Sequence, residues 1–290
     1  MTRVFYLAAC TVYVVLATSA IAPAQTYKTI DFPGAVATTL NGGPNAEGTS
    51  VGTYTDTSGG VHGFTLTKTG VFTSIDPPGS TGTTPNYITP EGVIVGAYLD
   101  AAGANHGFTL ENGAYTTIDF PGAAGTQLTG RNPAGTMTGV SCATASCTTV
   151  THGFTVSKSG VFSSFDPPGA VSSTASTVNP SGAIVGSYTD ANGVTHGYLL
   201  YQRRFVTIDF PGSLFSFAGG NNAEGDIVGA YSLTQNATVL HSFLVRNGVF
   251  TSFDPPGASF SDAAGINPAG TIVGLFVDAS GAVHGFVRTP

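Results

Sequence analysis

The chain has 290 residues, about twice the length of a common single domain, yet only 9% of them are charged where roughly a quarter is usual. Hydrophobic residues at 41% exclude a disordered chain, and the scarcity of Glu, Lys and Arg leaves no solvent faces for long amphipathic helices. Nine basic against sixteen acidic residues exclude a nucleic-acid partner, which needs a basic face; with 40 Gly, 17 Pro and no Trp, a large Gly-punctuated β protein remains.

The first segment reads as a targeting signal. Val4 to Ala22 is apolar, follows Arg3, and ends in Ala22-Pro23-Ala24. A basic start, an apolar run and an A-x-A site predict a secretory signal peptide cleaved after about Ala24, with no membrane span left afterwards. An uncleaved anchor is the alternative, but Thr and Ser dilute the run. Leu7-Ala8-Ala9-Cys10 comes too early for a lipoprotein cleavage box, and Cys10 leaves with the signal.

Everything after it is repetitive. His-Gly-Phe or a near variant begins at His62, His106, His152, His196, His241 and His284, in steps of 43 to 46 residues. Asp-x-Pro-Gly begins at Asp31, Asp76, Asp119, Asp166, Asp209 and Asp254 at the same pitch. A third marker, of the form Ile-Val-Gly-x-Tyr, ends at Tyr54, Tyr98, Tyr188, Tyr231 and Phe276, and is degenerate in the third copy. The copies fall near residues 26–70, 71–113, 114–160, 161–203, 204–248 and 249–290, and residues 25–290 are expected to form one domain.

Each copy resolves into four short strands. Between Ser173 and Gly212, a first strand runs through Val178 and turns at Asn179-Pro180-Ser181-Gly182. Ala183 to Thr189 is a second, His196 to Leu200 a third, and Phe205 to Asp209 a fourth after a reversal near Gln202. Four strands in each such interval is the spacing of a propeller blade. Tyr27 to Asp31 is a lone fourth strand, while His284 to Arg288 is a third strand without a fourth. The predicted architecture is therefore an all-β, six-bladed β-propeller of four-stranded antiparallel blades, its ring closed by the N-terminal strand. The copies also alternate, Asp-Phe-Pro-Gly at Asp31, Asp119 and Asp209 and Asp-Pro-Pro-Gly at Asp76, Asp166 and Asp254. That pattern suits three two-blade units and disfavours two tandem trefoils, which would pair the first copy with the fourth.

Gly265 to Gly274, reading Gly-Ile-Asn-Pro-x-Gly-Thr-Ile-Val-Gly, together with His284 to Phe286, resembles the extracellular repeats named for a His-Ala-Phe signature. The resemblance covers the whole chain after the signal, with Gly in place of the signature Ala and Ser242 there in the fifth copy. It implies an exported bacterial protein of repeat architecture and no particular activity. The layout is similar to WD-type and kelch propellers, without their Trp and paired-Gly signatures.

The conspicuous polar residues are repeat residues. A general base acts in one place, so six histidines at one repeat position point to a structural role, each ring bonding a neighbouring turn or strand. A channel of six imidazoles collecting a metal is the sharper alternative. The Asp of each Asp-x-Pro-Gly is expected to accept N–H groups of its own turn, with an acidic cation-binding rim as the alternative. Asp56, Asp100, Asp190 and Asp278 recur in Asp-x-x-Gly-x-x-His. Calcium wants several oxygen ligands, and one carboxylate per loop makes a hairpin turn the better account. No cofactor is expected.

Cys142 and Cys147 flank a Ser/Ala/Thr loop in the longest copy and are expected to form a local disulfide. Arg131, Arg203, Arg204, Glu111, Asp226 and Asp262 have no counterpart in most copies and form no motif. No nucleophile elbow, zinc helix or phosphate loop is present. The expectation is a secreted, monomeric, non-catalytic binding or scaffold propeller for an extracellular polymer, envelope component or protein. An exported hydrolase or lyase with its site at the channel, and a surface adhesion protein, are the rivals.

Overall fold

The computed structural model describes residues 25–290, so the expected signal peptide and Cys10 lie outside the described residues. Twenty-four strands and no helix are found among the described residues. They form four sheets of four strands and one of eight, with neighbours in each sheet following chain order. We number the strand sets in chain order: residues 37–75, 82–117, 125–165, 170–207, 215–253 and 260–289. Each set takes its fourth strand from the start of the next sequence copy. The eight-stranded sheet holds the first and sixth sets, joined by a single parallel bridge between Ala37 and Val283. Thr26–Ile30 pairs antiparallel with Val283–Thr289, Thr26 opposite Thr289 and Ile30 opposite Gly285.

The fourth set shows how the residues produce the strands. Ala170–Val178, Ile184–Asp190, Thr195–Tyr201 and Arg204–Thr207 are separated by positive-φ residues, Gly182 at 82°, Gly193 at 80° and the pair Gln202 at 49° and Arg203 at 64°. A left-handed residue at each reversal turns the chain sharply enough for antiparallel pairing. The fourth strand ends at Thr207, two residues before the expected Asp209. Ile208 still donates to Gly197 O, but the Asp209 carboxylate turns back onto His196 and the Gly197 N–H, drawing the chain out of the ladder.

Two of the sequence markers have one cause. In every set the Gly of the second strand lies opposite the aromatic residue of the third: Gly52–Phe64, Gly96–Phe108, Gly139–Phe154, Gly186–Tyr198, Gly229–Phe243 and Gly274–Phe286. All six rings have no exposed surface. A Cβ on Gly186 would stand 2.0 Å from Thr174 O and 2.9 Å from the Tyr198 ring. Glycine is what lets the ring lie flat over the neighbouring strand.

The core lies between sheets. Val228 and Leu244 of the fifth set pack with Ala263, Ile272 and Phe286 of the sixth, while Val273 on the sixth packs with Leu40 and Phe64 of the first. Each sheet thus buries both faces against its neighbours, which is why so few positions are left for charge.

Candidate functional site

The six histidines and the six Asp-x-Pro-Gly aspartates meet in pairs. Nδ1 lies 3.1 Å from the Asp76 carboxylate in His62, 2.8 Å from Asp119 in His106, and 3.0 Å from Asp166 in His152. The other three contacts are His196–Asp209 at 2.7 Å, His241–Asp254 at 2.8 Å and His284–Asp31 at 2.7 Å. These aspartates do not accept their own turn's N–H groups as the sequence suggests. They reach back across the hairpin instead, and four of them also accept the N–H of the residue after the histidine, at Gly63, Gly107, Gly197 and Ser242. In the Phe-containing copies the N–H after Asp donates to a Thr or Ser hydroxyl, Phe32 to Thr38, Phe120 to Thr126 and Phe210 to Ser216. Where Pro follows Asp there is no such N–H, and Ser173 and Ser261 turn their hydroxyls to Asp166 and Asp254.

The other ring nitrogen faces the hairpin aspartate in four sets: Asp56 at 3.4 Å from His62, Asp100 at 3.4 Å from His106, Asp190 at 3.9 Å from His196, and Asp278 at 3.5 Å from His284. These four carboxylates do cap their own turns, accepting N–H groups at Ser58 and Gly60, Ala102 and Ala104, Asn192 and Val194, and Ser280 and Ala282. In these four sets the aromatic residue opposite the histidine stacks on it, with centroids 5.0 Å apart for Tyr54–His62 and for Phe276–His284. Hydrogen bonding to Asp119 raises the His106 pKa and bonding to Asp31 raises that of His284, against the opposing effect of partial burial. The Ser58 and Ser280 hydroxyls, followed by turn N–H groups, pull Asp56 and Asp278 down to about 2. In these four sets both ring nitrogens therefore face carboxylates of the same set, whereas His152 and His241 have the first contact alone.

The opposite end of the strands carries the Asn-x-x-Gly turns. Here all five asparagines hold their own turn and four of them, all but Asn132, also reach the next set. The Oδ1 holds the turn, accepting from Thr49 on Asn45, Thr136 on Asn132, Ala183 on Asn179, Asp226 on Asn222 and Thr271 on Asn267. The Nδ2 reaches the next set: Asn45 to Thr89 O, Asn179 to Asn222 O, Asn222 to Asn267 O, and Asn267 to Pro44 O at 3.3 Å. The sequence presents these asparagines only as turn formers. Their spacing of one repeat is the signal that marks them as rungs between neighbours.

Within this ring of turns lies a depression of about 380 Å³. The residue after each turn-opening position lines it, namely Ala46, Pro90, Pro133, Pro180, Ala223 and Pro268, so all six sets contribute the same position. Its walls are mostly apolar, with asparagines such as Asn41, Asn45 and Asn267 among them. A smaller groove of about 180 Å³ lies beside it between the fourth and fifth sets, with Tyr201 and Glu224 on its rim.

The non-repeating residues separate under the same inspection. Arg131 lies 3.8 Å from Glu111, linking the second and third sets. Asp226 is buried and grips Arg246, at 2.6 Å from Nη2, a partner the sequence did not single out. Arg203 and Arg204 form an exposed hairpin. Cys142 and Cys147 are joined as expected. Among the described residues Asp262 alone has an enclosed carboxyl oxygen, Oδ1, without any hydrogen-bonding partner, and burial lifts its pKa to about 7. Among the described residues no three His, Cys, Asp or Glu side chains converge as a metal site would require, and no helix is long and apolar enough to cross a membrane.

No protein-family model matches the chain, and neither does any curated protein. Solved structures do. A putative TolB from Agrobacterium tumefaciens aligns with TM-score 0.59 at 12% identity over 83% of this chain and 86% of its own. The fucose-binding Aleuria aurantia lectin, described as a six-bladed β-propeller, aligns with TM-score 0.52 at 9% identity over 86% and 90%. The chain is a β-propeller. Its likeness to an inactive virginiamycin B lyase from Staphylococcus aureus, TM-score 0.54 at 11% identity over 92% of this propeller and 100% of the lyase, is one of fold in the same way.

Proposed function

We propose that this propeller is a secreted, non-catalytic binding module of six blades, closed by Thr26–Ile30, that holds an extracellular polymer, envelope component or protein at its channel mouth. The observation that carries the reading is the depression lined by one equivalent residue from each of the six sets, at the end where the polar side chains are already bonded to neighbouring loops. Closure is supported by the five-residue pairing of Thr26–Ile30 with Val283–Thr289 and by the Asn267 bond to Pro44 O, which links the sixth set to the first. A disulfide between Cys142 and Cys147 suits an oxidising, extracytoplasmic compartment. The His-Ala-Phe-type repeats suit export. The histidines and their aspartates are fasteners of the far face in this reading, and Cys142–Cys147 pins the loop where the third copy departs from the pattern.

The second reading, an exported hydrolase or lyase, has one observation in its favour: Asp262, a carboxyl with a pKa near 7, as a general acid needs. One experiment addresses both. The purified protein is screened for equilibrium binding to extracellular polysaccharides and cell-wall polymer, and for turnover of glycoside, lactone and ester panels. Saturable binding that Ala223→Trp abolishes by filling the mouth, with no turnover, is the expected result. Turnover that disappears in Asp262→Asn would establish the enzyme instead.

A further inference from the structure

The innermost strand of each set has a strict two-residue alternation. Thr38 and Leu40, or Ser261 and Ala263, are at most 2% exposed, whereas Thr39 and Asp262 between them are half-buried. Counting from the Asp of each Asp-x-Pro-Gly, the equivalent half-buried positions are Thr39, Thr84, Gln127, Thr174, Phe217 and Asp262. Asn41 and Ala264, two residues further along, line the depression. The row therefore faces the channel about 6–7 Å below the mouth, one strand step of two residues.

Asp262 is the only charged member of that row. Where Thr39 faces Thr53 with a hydroxyl pair at 2.7 Å, and Thr174 faces Ser187 at 2.9 Å, Asp262 faces Leu275. Its Oδ1 is enclosed and unbonded, and burial is the sole cause of its raised pKa, with no charged neighbour contributing. A carboxylate with one oxygen enclosed and no counter-charge is costly, so the site favours either a proton or a cation. A single carboxylate beside Leu275 is a poor calcium site, which wants six or more oxygens. Phe217 holds the equivalent position in the neighbouring fifth set, edge-on to Phe215, and aromatic surface attracts an organic cation. The mouth above is mostly apolar.

We infer that the channel binds a monovalent organic cation, an alkyl- or arylammonium, with its charge at Asp262 and its uncharged body in the depression. The inference rests on the channel-mouth reading and adds the ligand's chemical class to it. The test uses benzylamine and its neutral analogue benzyl alcohol at pH 8, titrated into the whole protein by calorimetry, with methyl NMR of Ala264 and Leu275 reporting the location. Asp262→Asn and Asp262→Thr are compared with the wild type; Thr is the residue of three equivalent positions, so that variant is compatible with the fold. Benzylamine is expected to bind roughly tenfold or more tighter than the alcohol, and to fall to the alcohol's level in both variants. Equal binding of amine and alcohol at Ala264 would overturn the cation and leave the mouth as a binding site. Calcium binding abolished by the same variants would replace the organic cation with a metal. Binding of neither probe would overturn the inference, while the polymer screen would still decide the mouth.

Discussion

His106 has Asp119 on one ring nitrogen and Asp100 on the other, and the tyrosine opposite it lies across its face. The pair of bonds ties the third strand to both of its flanking turns, so Asp119→Asn is expected to cost about 1 kcal/mol in urea unfolding. The charges also set a pH optimum. His106 and His284 have folded pKa values above 6.5, so their stabilisation is complete below 6.5 and is lost as pH rises through the folded value. Asp56 and Asp278 are lowered from 3.8 to about 2, so theirs is complete above 3.8 and is lost as pH falls towards about 2. Asp262 is raised, so ionising it costs stability as pH climbs towards about 7. The thermal midpoint should thus be highest near about pH 4, where Asp56 and Asp278 are ionised and Asp262 still keeps its proton, and should fall from there towards pH 7. Asp262→Asn should raise it at pH 8 and change it little at pH 4; a flat profile in both proteins would contradict these assignments.

At the scale of strands, the aromatic residue over glycine is the contact that each repeat preserves. Gly186→Ala forces a methyl against Thr174 O and the Tyr198 ring, and should cost about 3 kcal/mol by denaturant unfolding. Replacing Cys142 and Cys147 by Ser opens a short loop and should cost about 2 kcal/mol, with faster amide exchange confined to residues 143–150. The strands and turns were legible in the sequence because Gly, Pro, Asn and Asp punctuate them locally. The His–Asp pairs were visible in principle, since the two motifs stand 13 or 14 residues apart in five copies, but sequence reasoning placed the carboxylates on their own turns. What escaped it was the consequence of Pro in place of Phe: losing one N–H redirects a hydroxyl at Ser173 and Ser261 onto the aspartate. The isolation of Asp262 was not legible, because it depends on Leu275 across the ladder and on which face of the strand meets the channel.

For the whole molecule, low charge follows from sheets that bury both faces, with the remaining polar positions bonded in pairs from set to set. Removing residues 26–30 would leave Val283–Thr289 with an open edge, and light scattering should then show more association than in the intact protein. The proposed function divides labour between the two ends: the repeated histidines and aspartates hold the far face, and the channel mouth binds. The most direct test measures equilibrium binding to the polysaccharide and cell-wall panel together with thermal midpoints, for the wild type, His106→Gln and Ala223→Trp. His106→Gln is expected to lower the midpoint and bind as the wild type does, whereas Ala223→Trp keeps the midpoint and loses binding. Binding lost in His106→Gln and retained in Ala223→Trp would contradict it.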